Sequence, residues 1–378
     1  MERSDSHEEG LLMPIEFLGM GATNDGSETT RRSGGSFDPE FTIALARAHE
    51  EHGWDRVLTA YGAGSPDPAQ AAAWIAMHTT TLQVLVAHRP NVSIPTFAAK
   101  TFATIDHMSN GRLLVHFITG GSDHEQQREG DVLGHDERYD RTREYIQILK
   151  RIWTTHEPFD HEGTHYRFAD FVSDIFPIQQ PHPPVSFGGS SDAAYAVGAE
   201  VADIYCLWGE PLADTAEQIE RVTAECAAIG RPRPKIQVAF RPILGPTEEQ
   251  AWARARDIVA TIESRRAPRN PWIRRSGGGP ENTGSKRLLD IAARGERFDR
   301  ALYTATARAT GAMGNSNALV GTPETVAEAL MDYVRLGADI LSARGYDTLQ
   351  DTIDFGRHVI PLVRAEVAKL DRDRARVS

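Results

Sequence analysis

Apolar and polar positions along the chain alternate in two rhythms, short apolar runs and longer stretches with helical spacing. Ile15 to Gly19 forms the first run. A polar Gly/Ser/Thr stretch separates it from a helical pattern that opens at Asp38 and continues to about His52. Val57 to Ala60, a helix from about Ala69 to His78, and Leu82 to Ala87 follow. Pro95 stands where a proline suits a first helical turn, and that helix runs to Met108. Leu113 to Ile118 is a fourth apolar run. From Tyr139 to Trp153 the apolar residues Tyr145, Ile148, Leu149 and Ile152 fall on one helical face. His156 to Asp170 predicts a small hairpin with Glu162-Gly163 at its turn. The beat resumes with Val185 to Phe187, a helix beginning near Asp192, Ile204 to Trp208, and a helix ending at Gly230. Ile236 to Leu244, a helix from Glu248 to Arg265, Ile340 to Ser342 and a last helix from about Gln350 complete it.

Eight strand-helix beats predict an α/β fold, a parallel (β/α)8 TIM barrel, with functional loops after the C-terminal ends of the strands. The expectation is a single barrel spanning residues 1–378, interrupted by an insertion over residues 266–317 between strands seven and eight. That insertion holds Arg266, Arg269, Arg274, Arg275, Lys286 and Arg287 around the glycine-rich segment Ser276 to Pro280. A long insertion of this kind is expected to be a lid; an oligomer contact and a disordered loop are the other readings.

The composition narrows the possible partners. The chain has 378 residues, is 40% hydrophobic and carries a formal charge of −12, which supports a large core and argues against an open nucleic-acid surface. No apolar run approaches the roughly 18 residues of a membrane span. The opening stretch has no basic segment followed by an apolar one, so no secretion signal is expected. Two cysteines, Cys206 and Cys226, with no Cys/His cluster, point to a reducing, cytoplasmic setting and to no metal.

Four groups of residues carry candidate chemistry. Gly188, Gly189, Ser190 and Ser191 follow strand five and open a helix. Glycines, hydroxyls and free N–H groups there suit a phosphate, although an ordinary helix cap has the same composition. Ala87 and Thr119 stand at the ends of strands three and four, where a flat ring could pack. His135 and Tyr139, four apart on one helix, face one way. Arg241 lies inside an apolar strand and needs a partner, either a carboxylate or a bound anion. Trp208 and Tyr346 follow strands six and eight and converge with Arg241 on one face of a barrel. No nucleophile elbow, Walker loop or dinucleotide fingerprint follows a strand.

The stretches Val84–Gly120, Leu133–Trp153 and Phe176–Pro211 resemble the bacterial luciferase-like flavin monooxygenases, in particular their alkanesulfonate monooxygenase branch. The resemblance covers about residues 14–265 and 318–365. It implies reduced FMN supplied by a separate NAD(P)H-dependent flavin reductase, dioxygen as oxidant, and a homodimer or homotetramer. By position, Ser190 and Ser191 would hold the FMN phosphate, with Gly189, Tyr139 and His135 beside them. Ala87 and Thr119 would meet the isoalloxazine, with a non-proline cis link near Ala87. Arg241, Trp208, Tyr346 and Asn317 would face a substrate whose carbon–sulfur bond is cleaved to sulfite and an aldehyde.

The sequence departs from that branch around the substrate. Ser65, counted with the cofactor contacts, stands where simple alkanesulfonate enzymes carry cysteine. Ala239-Phe240-Arg241 replaces Arg-Leu-His, Thr348 replaces a histidine, and Asn315 and Asn317 occupy a loop that otherwise holds an arginine. A polar organosulfonate, such as the sulfosugar sulfoquinovose, is the resulting expectation, with an alkanesulfonate next. Two other readings remain: a flavin or deazaflavin oxidoreductase acting on a sulfone or heterocycle, and a non-catalytic flavin-binding protein.

Overall fold

The computed structural model describes residues 15–266 and 280–375. Arg269, Arg274, Arg275 and most of the glycine-rich segment lie outside the described residues. The first half of the chain forms β1 (Glu16–Met20), α1 (Pro39–Glu51), β2 (Arg56–Thr59), α2 (Pro68–Met77), β3 (Gln83–His88), α3 (Pro95–Met108) and β4 (Leu113–Phe117). It continues with α4 (Asp123–Gln127), α5 (His135–Thr154), the hairpin β5 (Phe159–Glu162) and β6 (Arg167–Phe171), then β7 (Val185–Gly188), α6 (Asp192–Val201) and β8 (Ile204–Trp208). The second half forms α7 (Leu212–Ala228), β9 (Lys235–Leu244), α8 (Glu248–Arg266), α9 (Thr283–Arg294), β10 (Arg297–Phe298), β11 (Leu302–Tyr303) and α10 (Ala305–Thr310). It ends with β12 (Ala318–Gly321), α11 (Pro323–Arg335), β13 (Ile340–Ala343), α12 (Thr348–His358) and α13 (Ile360–Ala375).

The strands β1, β2, β3, β4, β7, β8, β9 and β13 pair in parallel, and β13 returns to β1, closing a (β/α)8 barrel. Alternation along each strand separates two cores. Phe17, Val57, Val84, Val115, Phe187 and Val238 point outward under the helices. Leu18, Leu85, Leu114, Ile204 and Ile340 meet inside the barrel. A parallel barrel buries both faces of its strands, so both sets are apolar. At the N-terminal end of the interior, Glu16 pairs with Arg56 and with Lys235, at 3.2 Å from the latter.

Several βα turns end in a capping residue followed by proline. Asp38 accepts from the N–H groups of Glu40 and Phe41 ahead of Pro39, and Asp67 does the same ahead of Pro68. Thr322 caps α11 ahead of Pro323. Each such cap is worth about 1 kcal/mol, and it fixes where the strand-end loops stop.

The main difference from the predicted pattern lies at β9. Its first half pairs with β8 and β13 inside the barrel; its second half, Arg241 to Leu244, leaves and pairs with β12. Antiparallel β11 and β10 extend that branch. Ile243, Ala251, Ala255, Tyr303, Val320 and Tyr346 form a second core beneath it. Residues 280–317 are therefore built of helices and short strands on a branch of strand seven. Short apolar segments such as Ala318 to Gly321 gave no strand-helix beat of their own, and β12 was not visible in the pattern.

Candidate active site

The C-terminal ends of β3, β4 and β7 lie side by side. Ala87 is the register partner of His116, and Phe117 that of Phe187. Ala87 and Thr119 are buried at this edge. The α5 helix packs across it. Its Tyr139 ring lies 6.1 Å from Phe187, and the His135 ring lies tilted 4.9 Å from Tyr139. A Cβ added to Gly189 would meet the Tyr139 hydroxyl at 3.2 Å and the Ala194 methyl at 2.6 Å, at a φ of +151°. Glycine is therefore required there, and it brings the backbone under Tyr139. His135, Tyr139, Gly189, Ser190 and Ser191 form one cluster, while Ser65 sits in a separate exposed turn bonded to Gly62 and Pro66.

This cluster fits an FMN phosphate. Ser191 caps α6 by accepting from Ala194 N at 3.2 Å, leaving first-turn N–H groups at the edge. Ser190 and Tyr195 both donate to Gln218 Oε1, at 3.0 and 3.1 Å. Gln218 is buried and its Nε2 has no acceptor. An orphaned donor beside a hydroxyl and a helix N-terminus is the composition that a bound anion would satisfy. Gln126 presents a similar case next to Gly120, with both amide atoms buried and unpaired. Neither glutamine carries a sequence signal, because each sits on a helix where polar residues are ordinary. The peptide links around Ala87 are trans, and Gln180–Pro181 is the cis bond among the described residues.

The other side of the mouth is charged. Arg241, 2% exposed, donates to both Glu28 oxygens at 3.0 Å, to Arg344 O at 2.6 Å and to Gly345 O at 2.9 Å. Its guanidinium lies 4.0 Å above the Tyr346 ring. The partner that the strand position demanded is thus a carboxylate on the loop after β1. Burial alone would raise the Glu28 carboxyl, but Arg241 and Arg344 outweigh it and hold it down to about 2. Arg344 also pairs with Glu28 while its Nε and Nη1 have no partner among the described residues. Arg344 is the cation left facing the interior, and Glu28 and Arg344 are the site residues the sequence reading missed. The strand-end position of Arg344 in Arg344-Gly345-Tyr346 was the available signal.

Between the two sides lies a cavity of about 270 Å³. Met20, Leu58 and Leu85 line one wall, His116, Cys206 and Gln237 the opposite wall, and Glu28, Arg241 and Arg344 its charged end. Trp208 lines it too, while Tyr346 is buried in the second core beneath Arg241. Asn317 is fully buried, donating to Gly209 O at 2.9 Å, and its neighbour Asn315 reaches the cavity.

Described parts of the insertion reach this cavity and the strand ends around it. Asp123 N donates to Glu281 at 2.6 Å, and a Cβ on Gly284 would lie 2.9 Å from the Trp208 ring. Arg287 pairs with the buried Glu210 at 2.7 Å, anchoring α9 to the loop after β8. Residues 281–284 thus touch both the β4 and β8 ends, and Met313 to Asn315 line the cavity. Among the described residues, no group of His, Cys, Asp or Glu could hold a metal ion. No described helix is long and apolar enough to cross a membrane.

The family model described as luciferase-like monooxygenase matches residues 16–339. Among solved structures, riboflavin lyase (RcaE), solved with modified FMN and the substrate riboflavin, superposes with a TM-score of 0.75 at 21% identity, covering 94% of this chain and 92% of that one. EDTA monooxygenase (EmoA) from Chelativorans sp. BNC1 gives 0.74 at 17%, covering 94% of each chain. DmoA from Hyphomicrobium sulfonivorans gives 0.74 at 18%, covering 94% of this chain and 89% of that one.

Proposed function

The chain belongs to the luciferase-like monooxygenase family, and from that premise we propose that it is a two-component, FMN-dependent organosulfonate monooxygenase of the cytoplasm. Reduced FMN, delivered by a separate NAD(P)H-dependent reductase, would supply the electrons that activate dioxygen. One oxygen atom enters at the carbon bearing the sulfonate, and the other leaves as water. The C–S bond breaks, giving sulfite and an aldehyde.

The residues divide this work. Ser190, Ser191, Tyr139, His135 and the Gln218 amide hold the phosphate end of the cofactor. Thr119 and Ala87 meet its ring. Arg344 anchors the sulfonate, Arg241 and Tyr346 hold that corner in shape, and Trp208 with the insertion keeps water from the reacting centre. The observation that carries the sulfonate is Arg344. Two arginines share one carboxylate, so the charged end keeps a net positive charge with unused donors on the cavity wall. The exposed apolar side chains Trp74 and Met77 on α2 and Phe97 on α3 support a homodimer or homotetramer.

The test is sulfite release in air from short alkanesulfonates, an aromatic sulfonate and sulfoquinovose, with a flavin reductase, NAD(P)H and FMN supplied. Sulfite from sulfoquinovose above all is the expected result. Sulfite from none, with FMN bound, overturns the sulfonate reading. The second reading, oxygenation of a neutral sulfone or heterocycle, draws on Glu28 neutralising Arg241, and consumes oxygen without releasing sulfite.

A further inference from the structure

Below the mouth, the barrel interior carries a row of polar side chains that neither the phosphate cluster nor the charged end uses. His116 on β4, Ser186 on β7, Cys206 on β8 and Gln237 on β9 stand on four successive strands. His116 Nδ1 and Ser186 Oγ are 2.9 Å apart, and Ser186 Oγ and Cys206 Sγ 3.1 Å. Cys206 is the register partner of Gln237. Ser186 is fully buried behind the row, while His116, Cys206 and Gln237 line the cavity. Gln237 is 6% exposed and its Oε1 has no donor in the protein. The facing wall of Met20, Leu58 and Leu85 is apolar.

The protons of this row can be followed. Burial pushes the Cys206 thiol up to about 12 and His116 down to about 4, so near neutrality the thiol keeps its proton and the imidazole is neutral. A thiol donating to Ser186 and Ser186 donating to Nδ1 makes Ser186 the bridge between the other two, and the same distances admit the reverse run. In the first arrangement the imidazole proton sits on Nε2 and in the reverse Nε2 is an acceptor; in both, Nε2 has no partner among the described residues. The cavity wall therefore presents an unpartnered Nε2 at His116 and the side-chain amide of Gln237, whose Oε1 is buried without a donor. A hydroxyl both accepts and donates, so it suits either group. Water can do so only until substrate displaces it, and an alkyl chain cannot do so at all.

We propose that His116 and Gln237 form a recognition subsite for a hydroxyl group on the substrate, set deep in the barrel away from the Arg344 anion site. Gln237 pairs with Ile340, four residues before Arg344 on the same side of the sheet. At ~3.3 Å per residue that is ~13 Å of backbone depth, shortened by the reach of the two side chains. The occupant is an acid with its hydroxyl several carbons from the anion and an apolar flank toward Leu58 and Leu85. Ser186 and Cys206 are positioning residues that orient the ring of His116. This inference rests on the sulfonate reading only for the choice of anion.

The test compares 6-hydroxyhexane-1-sulfonate with hexane-1-sulfonate, which differ in one terminal hydroxyl. The wild type is expected to favour the hydroxylated compound by about tenfold or more in kcat/KM. In Gln237→Leu and in His116→Asn the ratio is expected to fall to within about twofold. Sulfite from both compounds without a hydroxyl preference, or a preference that survives in both variants, overturns the subsite and leaves the sulfonate reading intact. Nitrogen NMR of histidine-labelled wild-type protein, with His116 assigned by its loss in His116→Asn, covers the remaining cases. If neither compound yields sulfite, or a variant fails to fold, a His116 shift with the hydroxylated compound alone sustains the subsite. No such shift overturns it.

Discussion

On the β3–β4–β7 side of the barrel mouth the polar groups are neutral: hydroxyls, glutamine amides and backbone N–H groups gathered around Gly189. On the β9–β13 side they are formal charges, Arg241, Arg344 and Glu28, stacked on Tyr346. The neutral side leaves a donor unpaired at Gln218, whereas on the charged side Arg241 is already closed on Glu28 and Arg344 keeps free donors. Neutral donors can wait for an anion at modest cost because an unpaired amide loses only one hydrogen bond. A buried guanidinium such as that of Arg241 cannot wait, since an uncompensated buried charge costs several kcal/mol. The protein therefore supplies Arg241 with its own anion, and leaves free donors at Arg344 on one side and at Gln218 on the other.

The largest effect expected from this contrast follows Glu28→Ala. It strands Arg241 beneath the surface and should remove about 3–5 kcal/mol of stability in urea denaturation. Added sulfate or a sulfonate should return part of that loss; a loss below about 1 kcal/mol would mean the corner tolerates free cations. Gly189→Ala should act on the neutral side alone. Forcing a side chain at φ +151° against Ala194 should cost about 1–3 kcal/mol and weaken FMN binding, measured by flavin fluorescence. Ser191→Ala removes the α6 cap, with an expected loss of about 1 kcal/mol and weaker FMN binding. Unaltered FMN affinity in both variants would move the phosphate elsewhere.

The remaining effect, not felt at neutral pH, is a pH dependence in two limbs. His49, His88 and His116 are held down by burial to about 4, 3 and 4. The unfolded chain, with ordinary histidines near 6.5, binds more protons, so stability is full above that pH and falls as pH drops toward 3. Glu28 is also depressed in the folded state, so its contribution is present above about 4.5 and is lost as pH falls toward 2. Glu28→Gln should flatten only the lower limb and His116→Asn should reduce only the upper one. A single limb unaffected by either substitution would contradict this division.

The neutral side was largely legible in the sequence. Gly189, Ser190 and Ser191 announce a helix N-terminus after a strand, and His135 with Tyr139 share a helix face whatever surrounds them. The charged side was half legible. A lone arginine inside Val238 to Ile243 demands a partner, yet Glu28 lies over two hundred residues earlier, on a loop whose composition marks only a loop. Tyr346 reads as a strand-end aromatic of the mouth, but the branch of β9 carries it into the second core. The interior row of His116, Ser186, Cys206 and Gln237 was silent too, because each residue looks like a single polar interruption in its own strand.

What the sequence alone determined is local and periodic: the eight-beat barrel, the Asp–Pro and Thr–Pro helix starts, the family, and the phosphate-type helix opening. These depend on spacings of a few residues, where hydrogen-bond geometry and apolar period act directly on the chain. Only the tertiary structure decided that β9 divides between two sheets, that residues 281–284 and 313–315 come to the strand ends and the cavity, and that Arg241 is answered by Glu28 while Arg344 faces the cavity. Those outcomes depend on which buried charges and orphaned donors come within hydrogen-bond distance once the barrel closes, and closure joins positions that chain spacing leaves unrelated.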